Sequence, residues 1–153
     1  MNYASINPFD TANGEGIRVS LFVSGCSLRC KGCFNAEARA FDYGQPFTEV
    51  IELYLEKLLE QPHIKGLSLL GGDPFEPEHE ETLLKLLQRI KSRFPNKDVW
   101  AWTGRLYNQV KDSKLLPYID VLVDGPFIQS KKKPNLQYKG STNQRIIYLR
   151  EEK

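Results

Sequence analysis

Three cysteines stand within eight residues, Cys26-Ser27-Leu28-Arg29-Cys30-Lys31-Gly32-Cys33, and the chain holds no others. An odd count cannot close into disulfides within one chain. Thiolates are soft metal ligands, so a C-x3-C-x2-C run reads as a metal site in a reducing compartment. The plainer reading is buried core cysteines, but core cysteines have no reason to cluster so tightly. A structural zinc site needs a fourth protein ligand, and a catalytic one keeps an open position. The only imidazoles are His63, beside Pro62, and His79, among Glu76, Glu78, Glu80 and Glu81; both read as surface positions. An ordinary ferredoxin uses four thiolates. A 4Fe-4S cluster held by three thiolates accounts for the count and leaves one iron open to an outside chelate, by the logic of catalytic metal sites.

The elements that must position these thiols follow from the apolar pattern. Residues 18–23 read as a first strand, ended by Gly25 after an N-terminal leader, and the cysteines form the loop that follows. Thr48 is placed to cap a helix whose first turn carries Glu49 and Glu52. Ile51, Tyr54 or Leu55, and Leu58 keep its helical spacing until Pro62. Residues 66–70 form a second strand, broken by Gly71-Gly72-Asp73-Pro74. A helix over 77–93 has Leu83, Leu87, Ile90 and Phe94 on one face. A third strand spans 98–102, with Trp100 and Trp102 on one sheet face, where core packing is the expected role. A weaker helix over 106–115, a fourth strand over 119–123, a loop over 129–139 and a last strand over 145–149 complete the chain.

Strands alternating with helices imply a parallel sheet with right-handed crossovers. At 153 residues the chain is too short for a full eightfold barrel. The expectation is an α/β fold, an incomplete TIM-like (β/α) barrel or open sheet, in one domain over 1–153. The cysteines, Gly71-Gly72-Asp73, Thr103-Gly104 and Asp124-Gly125 each follow a strand. Carboxyl ends of parallel strands build the ligand site in such folds, so these segments converge on one edge.

Composition narrows the function. With 41% apolar and 26% charged residues, the balance is that of a soluble globular protein. Twenty-one basic and 19 acidic side chains give +2, too even for general binding to nucleic acid or anionic membranes. Apolar runs fall short of the ~20 residues a bilayer span needs. Met1-Asn2-Tyr3-Ala4-Ser5 opens no secretory signal, so a cytoplasmic location is expected.

The cysteine segment and Gly71-Gly72-Asp73-Pro74 resemble the cluster motif and the Gly-Gly-acidic motif of the radical S-adenosylmethionine superfamily. Asn13-Gly14-Glu15-Gly16-Ile17-Arg18, Gly32-Cys33-Phe34-Asn35, Trp102-Thr103-Gly104, Asp124-Gly125-Pro126-Phe127 and Gly140-Ser141-Thr142-Asn143-Gln144-Arg145 narrow the resemblance. They point to glycyl-radical-enzyme activases, of the kind that serve anaerobic ribonucleoside-triphosphate reductase, over nearly the whole chain. The resemblance implies a compact radical SAM core, a 4Fe-4S cluster on Cys26, Cys30 and Cys33 with an open fourth iron, and S-adenosyl-L-methionine as cofactor. It also implies reductive cleavage of that cofactor to a 5′-deoxyadenosyl radical, a glycyl radical on the reductase, and a low-potential electron donor such as flavodoxin. The alternatives are a different radical SAM enzyme, such as another activase or a 7-carboxy-7-deazaguanine synthase-like protein, and a zinc-binding module.

Many superfamily members carry an aromatic residue before the third cysteine. Here Gly32 stands there, and Phe34 becomes the candidate for adenine packing. Leu28 stands where a histidine is common in these activases. The backbone of Gly71, Gly72 and Asp73 is the candidate acceptor for the methionine amino group. Thr103 and Asp124 are candidates for methionine or ribose polar groups, with turn chemistry as their alternative. Arg18 and Arg145 read as partners for a carboxylate or as surface salt bridges. Asn143 and Gln144 serve the partner's tail or the C-terminal fold. Lys131-Lys132-Lys133 reads as a solvated face that could instead meet an acidic partner.

Overall fold

The computed structural model describes residues 1–28 and 36–150, the side chains of Ala36 and Glu37 excepted. In chain order the described elements are β1 (Asn2–Asp10), β2 (Ile17–Val23), β3 (Gln45–Pro46), α1 (Glu49–Leu59), β4 (Ile64–Gly71), α2 (Glu80–Arg93), β5 (Asp98–Trp102), α3 (Tyr107–Val110), β6 (Val121–Asp124) and β7 (Arg145–Tyr148). The strands form one sheet in the order β3-β1-β2-β4-β5-β6-β7. The four central strands run parallel, and the three flanking ones pair antiparallel. The fold is therefore α/β with a mixed sheet. Among the described residues the sheet stays open, with β3 and β7 at its edges, rather than closing into a barrel.

The parallel block stands where the apolar runs place it. The N-terminal leader differs from expectation: it is a nine-residue strand paired with β2, Tyr3 opposite Val23 and Ile6 opposite Leu21. Its Asn7-Pro8-Phe9-Asp10 end breaks register against β2, as expected where proline cannot donate to the ladder. Polar, proline-bearing sequence hides a strand that its neighbour imposes. The weak helix also shortens. It makes one turn at α3, Leu115 N–H then donates to Ser113 Oγ at 3.2 Å, and a separate 3-10 turn follows at Leu116–Tyr118.

One face of the sheet packs against the helices. Val19, Leu21, Leu67, Leu69, Val99 and Leu122 meet Leu55 and Leu59 of α1 and Leu83, Leu86, Leu87 and Ile90 of α2. Leu55, rather than the exposed Tyr54, is the inward residue of α1. Thr48 takes the N-cap position without a side-chain hydrogen bond. The other face is aromatic. Trp100 is buried with Val121 and Val123, and Trp102 stacks on it at 5.7 Å. Trp102 Nε1 donates to the Tyr138 carbonyl at 2.6 Å, which ties the segment over residues 129–140 across this face. No described helix is long and apolar enough to cross a membrane.

Arg18 is neither a ligand-facing nor a surface cation. It is fully buried, donates to Ser68 Oγ at 2.7 Å and the Leu67 carbonyl at 3.0 Å, and pairs with Asp98 at 2.7 Å. Fixing this guanidinium to three strands satisfies the donors that burial would otherwise strand.

Candidate functional site

A cavity of about 560 Å³ opens at the carboxyl ends of the parallel strands. Cys26, Leu28, Gly71, Gly72, Thr103 and Gly104 line its inner side, Phe22, Leu70 and Trp102 its floor. Lys132, Lys133, Leu136, Tyr138, Lys139 and Gly140 form the outer wall. Three of the four predicted strand ends meet here, those after β2, β4 and β5, while Asp124 and Gly125 at the end of β6 do not line the cavity. Of the sequence-predicted site residues, Cys26, Gly71, Gly72 and Thr103 meet here. Cys30, Cys33 and Phe34 lie outside the described residues. Among the described residues no trio of His, Cys, Asp and Glu converges to hold a metal ion; the trio read from the sequence includes those two cysteines.

The two glycines are dictated by close approach. Gly71 has φ +108°, and a Cβ there would fall 2.3 Å from the Val23 carbonyl oxygen. A Cβ on Gly72 would fall 2.4 Å from the Gly25 carbonyl oxygen. Gly72 N–H donates to the Val23 carbonyl at 2.7 Å, and Asp73 N–H to the Gly25 carbonyl at 2.9 Å. Only glycine lets the turn after β4 lie flat against the strand end that carries Cys26.

Asp73 is fully buried and does not itself line the cavity. It accepts Thr103 Oγ1 at 2.9 and 2.8 Å, Gly104 N–H at 3.0 Å and Phe75 N–H at 2.9 Å, and it pairs with Arg105 at 2.9 Å. Burial pushes this carboxyl above its ordinary range, against the hydrogen bonds and Arg105. Its contribution to the cavity is to fix the end of β5. Asp124, also buried, accepts Arg145 Nε at 3.0 Å, Arg145 Nη2 at 2.5 Å and Tyr107 N–H at 2.7 Å, and it does not line the cavity. Gln144 accepts Gly140 N–H at 2.7 Å and donates to the Gly125 carbonyl at 2.9 Å, while Asn143 donates to the Pro126 carbonyl at 2.8 Å. These two side chains serve the C-terminal fold, and Gln144 also reaches the cavity wall.

Cys26 is buried, and burial pushes its thiol up to about 11, with Asp73 and Glu76 adding and Arg105 opposing. At neutral pH such a thiol keeps its proton unless a metal ion displaces it. His79 is buried rather than exposed, with its ring 5.6 Å from that of Phe41, and burial lowers its pKa. His63 is exposed.

Sequence reasoning missed Ser27, Glu76 and Arg105. Glu76 accepts Ser27 N–H at 2.5 Å and Ser27 Oγ at 2.9 Å, and pairs with Arg105 at 3.1 Å. The available signal was position: Arg105 directly follows the Thr103-Gly104 strand end, and Glu76 stands in the turn after Gly71-Gly72.

The family described as "4Fe-4S single cluster domain" matches residues 12–147. An anaerobic ribonucleoside-triphosphate reductase-activating protein of Haemophilus influenzae is 47% identical over 150 residues, 95% of this chain and 97% of that protein. The protein of that name from Vibrio cholerae is 47% identical over 150 residues, with the same coverage. The one from Escherichia coli is 43% identical over 154 residues, 98% of this chain and all of that protein. Identity this high over whole chains, together with the cysteine-bearing strand end and its glycine turn, places the chain: it belongs to the 4Fe-4S single cluster domain family, among the anaerobic ribonucleoside-triphosphate reductase-activating proteins.

Proposed function

We propose that this chain is a radical S-adenosylmethionine activase that installs a glycyl radical on an anaerobic ribonucleoside-triphosphate reductase. The observation that carries the reading is the meeting of Cys26 with Gly71, Gly72 and Thr103 on one cavity. Cys26, Cys30 and Cys33 would hold a 4Fe-4S cluster, three thiols for a cube with one iron left open. The residues fit that group: the buried Cys26 thiol needs a metal to ionise it, and the two glycines let the turn after β4 lie against the strand end that carries it. The cavity volume lies within the roughly 300–1,000 Å³ of sites that take cofactor-sized ligands. When bound, the cluster supplies one electron to the sulfonium, releasing methionine and a 5′-deoxyadenosyl radical that takes a hydrogen atom from a glycine of the reductase.

The chain's own residues bind and orient. Carbonyls of Gly71 and Gly72 accept the methionine amino group, and Thr103 borders the same pocket. Asp73 acts by fixing Thr103 and Gly104, and Asp124 by fixing Arg145 and Tyr107. Phe34 is the candidate for the adenine face. Phe22, Leu70 and Trp102 exclude water beneath the cofactor. The open, centrally parallel sheet corresponds in this reading to a compact radical SAM core, part of a (β/α) barrel. The setting is cytoplasmic, with a flavodoxin-like electron donor.

The test is anaerobic reconstitution followed by incubation with the purified reductase, reductant and S-adenosylmethionine. A glycyl doublet by electron paramagnetic resonance and 5′-deoxyadenosine in the supernatant are expected. Cys30→Ala should lose both, along with cluster iron. Cofactor cleavage with no doublet would move the assignment to another radical enzyme. A colourless protein with stoichiometric zinc would end it.

A further inference from the structure

Behind the cavity, one oxygen of Glu76 collects three donors. Ser27 N–H and Oγ reach Glu76 Oε2 at 2.5 and 2.9 Å, and Arg105 Nη2 lies 3.1 Å from the same oxygen. Arg105 also donates to Ser27 Oγ at 3.2 Å and pairs through Nη1 with Asp73 at 2.9 Å. Ser27 directly follows Cys26, Asp73 and Glu76 belong to the turn leaving β4, and Arg105 belongs to the turn leaving β5. A single guanidinium therefore joins three strand ends around the first cysteine.

The charges matter as much as the geometry. Asp73 and Glu76 are buried carboxylates, and Arg105 is largely enclosed, with 17% of its side chain exposed. The Glu76 anion and the Arg105 cation stand opposed at the start of the loop that carries Cys26. In a weakly screened setting such charges act on one another strongly. Hydrogen bonds and charges around the sulfurs are the levers by which a protein sets an iron–sulfur potential. Here the cation and one of the anions sit on the residue next to a sulfur ligand.

Resting on the cluster assignment above, we infer that Arg105 and Glu76 are opposed positioning residues: together they fix the start of the cysteine loop through Ser27, and their charges set the reduction potential of the cluster held there. Neither residue touches the reacting atoms. Glu76 lowers the potential by placing an anion near the sulfurs, and Arg105 raises it by balancing that anion and Asp73.

The experiment is a redox titration of the anaerobically purified, cluster-loaded full chain, followed by electron paramagnetic resonance. Arg105→Gln should move the midpoint to more negative potential, and Glu76→Gln to more positive. Each shift should change the reduced-to-oxidised ratio at fixed potential by roughly three- to tenfold. The double variant should return close to the unaltered protein, and Arg105→Lys, which keeps the charge without the fork, should stay near it. A role confined to holding the loop gives a different pattern: less iron per chain in both variants, with an unmoved potential in whatever loads. Shifts of the same sign, or none, overturn the inference. If Arg105→Gln loads no cluster, Glu76→Gln decides alone, a positive shift supporting the inference and an unmoved midpoint overturning it. An unaltered protein that shows no reducible 4Fe-4S signal overturns the cofactor assignment and this inference with it. A normal signal without opposed shifts overturns this inference only.

Discussion

Two clusters of arginine and carboxylate hold this molecule, and they differ in what surrounds them. Between α1 and α2, Arg89 reaches Glu52 at 3.2 Å and Glu56 at 3.0 Å, while Arg93 pairs with Glu56 at 2.9 Å and with Glu60. Those arginines are 38% and 46% exposed. At the strand ends, Arg105 reaches Asp73 and Glu76 from an enclosed position. Water reaches the arginines of the helix cluster, so these cations stay solvated when parted, although Glu52 and Glu56 are buried. The strand-end cluster has no such fallback, and its donors include the backbone beside Cys26 and at Gly104. The same residue types therefore staple two helices in one place and shape the cavity in the other.

The contrast is sharpest at Asp73. Asp73→Ala should cost about 3–5 kcal/mol, because it removes the partner of a cation and three donors in the interior. Chemical denaturation of the metal-free chain measures this, and a loss below about 1 kcal/mol would erase the distinction between the clusters. Gly72→Ala should follow at about 1–3 kcal/mol, since its Cβ would meet the Gly25 carbonyl. It should also weaken cofactor binding in equilibrium dialysis, as the turn is pushed off the cysteine strand.

Acid titration should separate Glu52 from Glu76 by sign. Burial raises Glu52 above its ordinary value of 4.5, with Arg89 opposing. The folded chain thus favours its protonated form, and stability is lost as pH rises from 4.5 through the raised pKa. Glu76 behaves oppositely. Burial pushes it up, but the Ser27 hydrogen bonds and Arg105 prevail and hold it below 4.5. Its stabilisation is present above 4.5 and is lost as pH falls through the lowered pKa. Glu52→Gln should flatten the first dependence and Glu76→Gln the second, read from denaturation midpoints across pH 3 to 7 (a window of roughly two pH units about the ordinary carboxylate range). The smallest effect belongs to Glu60→Gln, which parts only the exposed pair with Arg93. It should stay below about 1 kcal/mol and shrink with added salt. Cofactor cleavage should stay unchanged in that variant.

Much of the fold was legible in the chain because its signals are local. The strands at 18–23, 66–70, 98–102 and 119–123 carry short, largely apolar runs with a glycine shortly after, and the structure places β2, β4, β5 and β6 there within two residues at each end. The edge that collects the site follows from their parallel order alone. β1 was not legible, since Asn7, Pro8 and Asp10 have poor strand propensity, and Asn7 and Asp10 pair only because β2 offers an edge. His79 reads as a surface residue among glutamates, yet the turn before α2 folds it inward against Phe41. The direction of the Asp73 carboxylate was equally hidden, because a motif names a residue without saying which strand end it will meet.

Residue types and spacing by themselves determined the chemistry available: three thiols in one loop, a glycine turn that tolerates close contact, and alternating elements that bring both to one edge. Only tertiary packing decided which carboxylates point at ligand space and which lock the frame. That choice depends on Arg105 meeting Asp73 and Glu76 across about thirty residues of chain, and long-range pairing of buried charge leaves no periodicity in a sequence to read.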